Sequence, residues 1–344
     1  MRLSDLLVYD RIIIQCHDNP DADSIASGFA LLTWFREKKK DASLIYSGRA
    51  RISKPNLLLM VKELEIPIEH AESIGDFDGL LITVDCQYGA GNVKRFDAQN
   101  VAIIDHHQQE IYDISQSEIR SFLGSCSTLV WDMLMEEGFA VNDHSDVSTA
   151  LWYGLFTDTN GFSELNHPID RDMRDSIVPD KNLIRKLRNS NLTLMDLETA
   201  GTALIRTSYN RKNRFAVIKT NPCDPNLLGY ISDLAHQVDV IDVCVVYNEI
   251  SNGIKYSVRS SSHEIMASEL AAWIANDIGS GGGHAEKAGG FISNLRFEEK
   301  HPHMNADEYL LSRMSEYFSS FDIIYADKYE IDPSEMKCYK KLPV

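Results

Sequence analysis

The stretch NVAIIDHHQQE, residues 100–110, sets a short apolar run directly against Asp105, His106 and His107. A run of this length bounded by polar residues reads as a strand buried on both faces. Two adjacent imidazoles behind a carboxylate suit a metal site, a catalytic pair or an ordinary polar loop. The same arrangement recurs upstream. RIIIQC (11–16) leads into CHDNPDADS, with His17, Asp21 and Asp23, and LLITV (80–84) ends at Asp85. In an open α/β sheet, ligands gather outside the carboxyl ends of the strands. Three strands of one sheet therefore bring these groups to a common edge. A fourth contribution, Asp158, closes the apolar helical stretch VSTALWYGLFTDT (147–159).

Each piece has a plain reading of its own. Asp21 and Asp23 fit a helix N-cap, and Asp158 fits a solvated helix end. Together they do not, because carboxylates gathered at one sheet edge repel strongly unless cations neutralise them. Mixed carboxylate and imidazole donors without thiolate suit manganese, with zinc and iron also compatible. Cys16 and Cys86 neighbour the presumed ligands, but adjacent strand residues point to opposite faces, so both read as core.

A helical stretch from about Asp23 to Lys38 carries Ile25, Phe29, Leu32 and Trp34, and STLVWDMLMEEG (127–138) reads as a helix stopping at Gly138. This βαβ rhythm predicts a mainly parallel sheet with helices on both faces, assigned to residues 1–190. Residues 191–213 read as a helical linker. From 214 to 344 the pattern predicts a smaller α/β domain with a mixed sheet. RFAVIKT, DVIDVCVVYNEI and GIKYSVRSSS are strand-like, the last two joined across SNG, a hairpin signal. EIMASELAAWIAND is an amphipathic helix, and GSGGGHAEKAGGFI reads as a Gly-rich loop entering a strand. The tail from about Asp322 has no clear pattern.

The chain has 344 residues and a formal charge of −17. Long nucleic acid is gripped through many Lys and Arg contacts to phosphates, so a long duplex is excluded as a partner and a small anion held through metals is favoured. No apolar run reaches the ~18 residues a membrane span needs. The six cysteines are dispersed, which fits reduced thiols. With no secretory signal pattern at the N-terminus, a cytoplasmic location is expected.

HDNPDADS, the Val-Asp at 84–85, DHH at 105–107, TDT at 157–159 and GGGH at 281–284 resemble the ordered motifs of the DHH phosphoesterase family. The order resembles two-domain members with a DHH-associated C-terminal domain, and is most similar to the nano-RNase/pAp phosphatase group. The resemblance implies two divalent ions, manganese being expected. His17 and Asp21 would hold one, Asp23, His106 and Asp158 the other, and Asp85 would bridge them. It also implies a metal-activated water as nucleophile, catalytic roles for Asp85 and His107, and Asp105 as a support for the imidazoles. Arg259 and Ser260 would bind substrate together with Gly281, Gly282, Gly283 and His284. Without the resemblance, Arg259 reads as a surface ion pair and the glycines as a flexible loop.

The chain departs from that group after Asp158, where NGFSELNHPIDRDM places His167 behind Asn166. His167 either faces the site or decorates the loop before a helix starting near Pro168. The expected function is phosphoester hydrolysis of short nucleotides: nanoRNA, pAp-type mononucleotide bisphosphates or linear dinucleotides such as pApA. Partners are short RNA oligonucleotides or bisphosphates, with a homodimer allowed. A pyrophosphatase or polyphosphatase on the same metals, or a non-catalytic nucleotide-binding protein, are the alternatives.

Overall fold

The computed structural model describes residues 1–49, 51–165 and 167–319. Asn166 and the tail from about Asp322 lie outside the described residues. The chain divides into two compact units after Leu192.

The first unit runs β1 (Arg11–Cys16), α1 (Ala22–Glu37), β2 (Asp41–Tyr46), α2 (Pro55–Glu63), β3 (Ile68–His70), β4 (Leu80–Val84), β5 (Asn100–Asp105), β6 (Gln116–Ile119), α3 (Cys126–Glu136), α4 (Ser145–Asp158), α5 (Pro168–Ser176) and α6 (Lys181–Asn189). Its six strands pair in the order β3-β2-β1-β4-β5-β6, all parallel. The order reverses between β1 and β4, which makes that point the topological switch where ligands bind in such sheets. Register sharpens this. Cys16 pairs with Val84 and Val84 with Ile104, so His17, Asp85 and Asp105 stand level at the carboxyl edge.

Residues of every helix from α1 to α6 enter one core, against Ile12, Ile14, Leu44, Ile82 and Ile104. α1 lies closest to the strands. A Cβ on Gly28 would sit 2.5 Å from Leu44 Cδ1 and 3.4 Å from Cys16 Sγ, so a side chain there would have to push Leu44 aside. Trp34 and Phe35 are fully buried beside it, each contributing about 2–3 kcal/mol by burial. The opposite face differs from the expectation of helices on both sides. Ile45, Leu81 and Ile103 are covered there by loop residues such as Phe77, Tyr88 and Phe96. The long connections after β3 and β4 supply the apolar cover that a crossover helix would otherwise give.

The second unit runs α7 (Leu194–Ile205), β7 (Ser208–Asn210), β8 (Phe215–Thr220), α8 (Pro225–His236), β9 (Val243–Ile250), β10 (Gly253–Ser260), α9 (Ala267–Ala275), β11 (Gly279–Gly283), β12 (Lys287–Ser293), α10 (Asn294–Lys300) and α11 (Ala306–Ser319). Its sheet is mixed, in the order β11-β12-β10-β9-β8-β7, with β8 and β9 parallel and the other pairs antiparallel. Val217, Val245 and Tyr247 pack with α9 and α11. Cys244 Sγ reaches the Ser232 carbonyl of α8 from the other face. Residues 191–213, expected as a linker, contain α7 and β7, and β7 pairs with β8. The linker helix is thus part of the second unit. No helix among the described residues is long and apolar enough to cross a membrane.

Candidate metal centre

The carboxyl edge of β1, β4 and β5 gathers the predicted donors into three overlapping groups: His17–Asp21–Asp85, Asp23–His106–Asp158 and Asp85–His106–His107. Asp85 belongs to two of them. His17 Nε2 lies 3.8 Å from Asp21 Oδ2 and 3.7 Å from Asp85 Oδ2. His106 Nε2 lies 3.4 Å from Asp85 Oδ1 and 3.3 Å from Asp158 Oδ2. These spacings are long for direct hydrogen bonds, but they suit neighbouring donors that share a cation at about 2.0–2.2 Å. Asp85 Oδ1 is buried and accepts no hydrogen bond, a costly state for a carboxylate oxygen unless a cation satisfies it.

Each donor is held by the local chain. Asp85 follows β4 in the left-handed region, φ +60°, a conformation that Asp tolerates better than most residues. Asp21 is the N-cap of α1, its Oδ1 accepting from Ser24 N at 3.0 Å. Capping and pointing at His17 therefore coexist, because the two oxygens do separate work. Asp23, two residues on, accepts from Cys126 N at 2.7 Å and Ser127 N at 2.8 Å, so it is tied to the positive end of α3. Asp158 ends α4. Gly154, one turn earlier, leaves room for this packing: a Cβ there would overlap Ser127 Oγ and come within 3.0 Å of Asp23 Oδ1.

The two imidazoles of the DHH triplet are held differently. His106 Nδ1 donates to the Leu123 carbonyl at 3.2 Å, which directs Nε2 to the carboxylates. His107 Nδ1 donates to Asp105 Oδ1 at 2.8 Å. Asp105, almost fully buried, also accepts from Gln87 Nε2 at 2.8 Å and is in none of the three groups. Gln87 donates as well to the Gln108 carbonyl and accepts from Glu110 N and Ile111 N.

The protonation of the cluster reports its charge. Burial pushes the Asp23 carboxyl up, and Asp85 adds to this, so it stands at about 7. Burial likewise raises Asp158 well above the carboxylate range, with Asp23 reinforcing it. Burial alone would lower His17, but the Asp21 carboxylate outweighs it and lifts the imidazole to about 9. His106 is raised well above its ordinary value in the same way, against burial, by Asp85 and Asp158. Acids that resist losing protons beside bases that keep them indicate excess negative charge. The donor set therefore fits divalent cations.

The expected substrate residues of the second unit are placed less uniformly. Arg259 is paired with Asp233 Oδ1 at 2.6 Å and donates to Ser257 Oγ at 3.0 Å, so it forms an ion pair. Ser260 is buried, its hydroxyl donating to the Ile265 carbonyl at 2.6 Å and accepting from Ser262 N. Its hydroxyl thus closes a local turn. The glycine run is the edge strand β11, not a loop. A Cβ on Gly281 would overlap the Ala271 carbonyl of α9, and Gly283 takes φ +144°, whereas Gly282 faces open space. His284 is exposed at the turn into β12. His167 caps α5 by accepting from Ile169 N at 3.3 Å, and its ring lies 4.7 Å from Phe122.

Residue type alone did not single out Gln87, Gly154 or the amides of Cys126 and Ser127. Gln87 lies two positions after Asp85, but its role depends on a long loop folding back over β5.

Residues 11–155 match the family model described as DHH family, N-terminal domain. The matched stretch lies wholly within the first unit and includes the donors from His17 to His107. Over 80% of its length the chain is 22% identical to an uncharacterized protein of Methanocaldococcus jannaschii, and the match spans 57% of that relative. Over 74% of its length it is 23% identical to a probable manganese-dependent inorganic pyrophosphatase of Streptococcus thermophilus, covering 79% of it. The fold is similar to that of an exopolyphosphatase-related protein from Bacteroides fragilis, with TM-score 0.71, 17% identity and coverage of 92% and 94% of the two chains.

Proposed function

We propose that the protein is a manganese-dependent phosphohydrolase acting on short nucleotides, with nanoRNA, pAp and linear dinucleotides such as pApA as its substrate class. The observation that carries the hydrolytic reading is the cluster around Asp85, whose Oδ1 faces His106 and His107 and whose Oδ2 faces His17. His17 and Asp21 would hold one cation and Asp23, His106 and Asp158 the other, with Asp85 shared. Such a pair supplies Lewis acidity and a hydroxide near neutral pH. The manganese-dependent relative supports the choice of metal.

The chain's own groups do the rest. Asp105 keeps the proton on His107 Nδ1 and so orients the ring. His107, held at the rim of the cluster with its side chain 45% exposed, is placed to give a proton to a leaving oxygen. A recess of about 230 Å³ beside it, lined by Gln87, Asn92, His107 and Gln108 among others, has room for more than a phosphate. That recess would admit a nucleotide. Arg259, Ser260, the backbone at Gly281, Gly282 and Gly283 and the exposed His284 would contribute phosphate contacts.

A second reading, pyrophosphatase or polyphosphatase activity on the same centre, is favoured by the streptococcal relative and by the fold of the exopolyphosphatase-related protein. One panel decides: pAp, pApA, cyclic-di-AMP, 5-mer and 24-mer RNA and pyrophosphate, each with manganese or magnesium, resolved by chromatography. Mononucleotide release from pApA and the 5-mer, with the 24-mer nearly untouched, is expected. Turnover of pyrophosphate alone would establish the second reading, and processive shortening of the 24-mer would overturn the substrate class.

A further inference from the structure

Asp170 is a fully buried carboxylate on α5 whose partners are backbone N–H groups. Gly124 N donates to both of its oxygens at 3.1 Å, and His167 N donates to Oδ2 at 3.3 Å. The last contact completes the capping box of α5. A capping box does not require burial, and burying an ion without a counter-charge costs several kcal/mol. The two contacts to Gly124 are the shorter ones, and they lead elsewhere.

Gly124 N and Leu123 O belong to one peptide group. Its N–H donates to Asp170 while its C=O accepts from His106 Nδ1 at 3.2 Å. A carboxylate on the N–H side enriches the carbonyl oxygen through amide conjugation, and hydrogen bonds in series strengthen one another by roughly 10–30% per bond. A histidine that donates into a stronger acceptor is a better electron donor at its other nitrogen, here the Nε2 facing Asp85 and Asp158. Carboxylates commonly act on a metal-binding histidine by direct contact; here a peptide is interposed. Gly124 is needed for it, since a Cβ would lie 2.9 Å from Thr159 Cγ2 and 3.2 Å from Asp170 Oδ2.

We propose that Asp170 is a positioning residue for the metal centre, acting on His106 through the Leu123–Gly124 peptide. This rests on His106 being a ligand, and the test separates the two. In the full chain titrated with Mn²⁺, Asp170→Asn should bind about 10-fold more weakly, as loss of an outer partner does, with its circular dichroism unchanged. In the metal-free protein, its His106 Nδ1–H proton resonance should move upfield. His167→Ala, which removes the other α5 cap, should lower the melting temperature and leave Mn²⁺ affinity alone. If Asp170→Asn merely matches His167→Ala, Asp170 is structural and the proposal fails. If His106→Ala keeps wild-type Mn²⁺ affinity, the ligand assignment itself fails. Should Asp170→Asn not fold, the wild type still decides: Mg²⁺ must shift the Gly124 amide proton downfield, and an unmoved resonance overturns the relay.

Discussion

Asp85 combines a left-handed backbone, near-complete burial and an oxygen without a hydrogen-bond partner. Backbone strain and a buried bare oxygen each cost about 1–3 kcal/mol, so a purely structural Asp85 would be a liability. Asparagine keeps the shape and tolerates the same φ, but it loses the charge. Asp85→Asn should therefore fold normally, lose bound manganese and lose activity by more than about 100-fold, since outer partners alone cost 10–100-fold. Metal analysis of the purified variant checks this, and full metal content would refute the bridging role. His107 should behave differently. His107→Ala should keep its metal and lose about 10²–10⁴ in kcat, the usual worth of a general acid. Burial would lower the His107 pKa, but the Asp105 hydrogen bond outweighs it and raises it. If the protonated ring gives the proton, activity falls as pH rises through that pKa. Asp105→Asn should then move the alkaline limb of the pH–kcat profile to lower pH, and an unmoved limb would show that Asp105 does not set the titration.

At the scale of elements, the centre depends on α3 and α4 meeting closely over the first turn of α1. Gly154→Ala tests that contact. Its Cβ must displace Ser127 or Asp23, and overpacking of this kind costs about 1–3 kcal/mol. We expect a lower melting temperature together with weaker Mn²⁺ binding; normal binding would mean that α3 does not position Asp23. The elements differ in how far the sequence reveals them. β1 and β4 coincide with their apolar runs because strands buried over most of their length carry few polar positions to blur them. β2, β3 and β6 were missed: β3 and β6 are three and four residues long without a fully buried position, and β2 opens with alternating exposed and buried residues behind a lysine run. The candidate donors were legible because Asp and His stand directly beside those runs. Ser260 and the glycines are harder to read for a physical reason: in a turn or beside a helix, small residues serve packing as readily as ligand approach. Asp170 and Gln87 could not be read at all, since most of their partners are backbone groups, as far as 46 and 24 residues away.

For the molecule as a whole, a charge of −17 concentrated partly in one buried cluster makes stability depend on what neutralises that cluster. In the metal-free protein the neutralising species is the proton. The carboxyl of Asp23, raised to about 7 by burial and by Asp85, contributes stability that is complete below its unfolded value near 4. That contribution is lost as pH rises through 7. His17, lifted to about 9 mainly by Asp21 against burial, contributes stability that is complete below its unfolded value of about 6.5 and lost through 9. Asp158 and His106 are raised too and act in the same sense. Asp21, lowered against burial by His17, acts in the opposite sense, but only below about pH 4. Between pH 5 and 8.5 every one of these shifts that titrates therefore removes stability as pH rises. The loss should be on the order of 5 kcal/mol, or roughly 15 °C for a unit of this size. Manganese should reverse the trend, because cations replace the lost protons and bind better as the ligands deprotonate. Calorimetry with chelator and with saturating Mn²⁺ across that range should give melting curves that diverge steadily with pH. A metal-free melting temperature that rises from pH 5 to 8.5, or a constant gap between the two, would show that the acidic cluster is not held together by the charge it lacks.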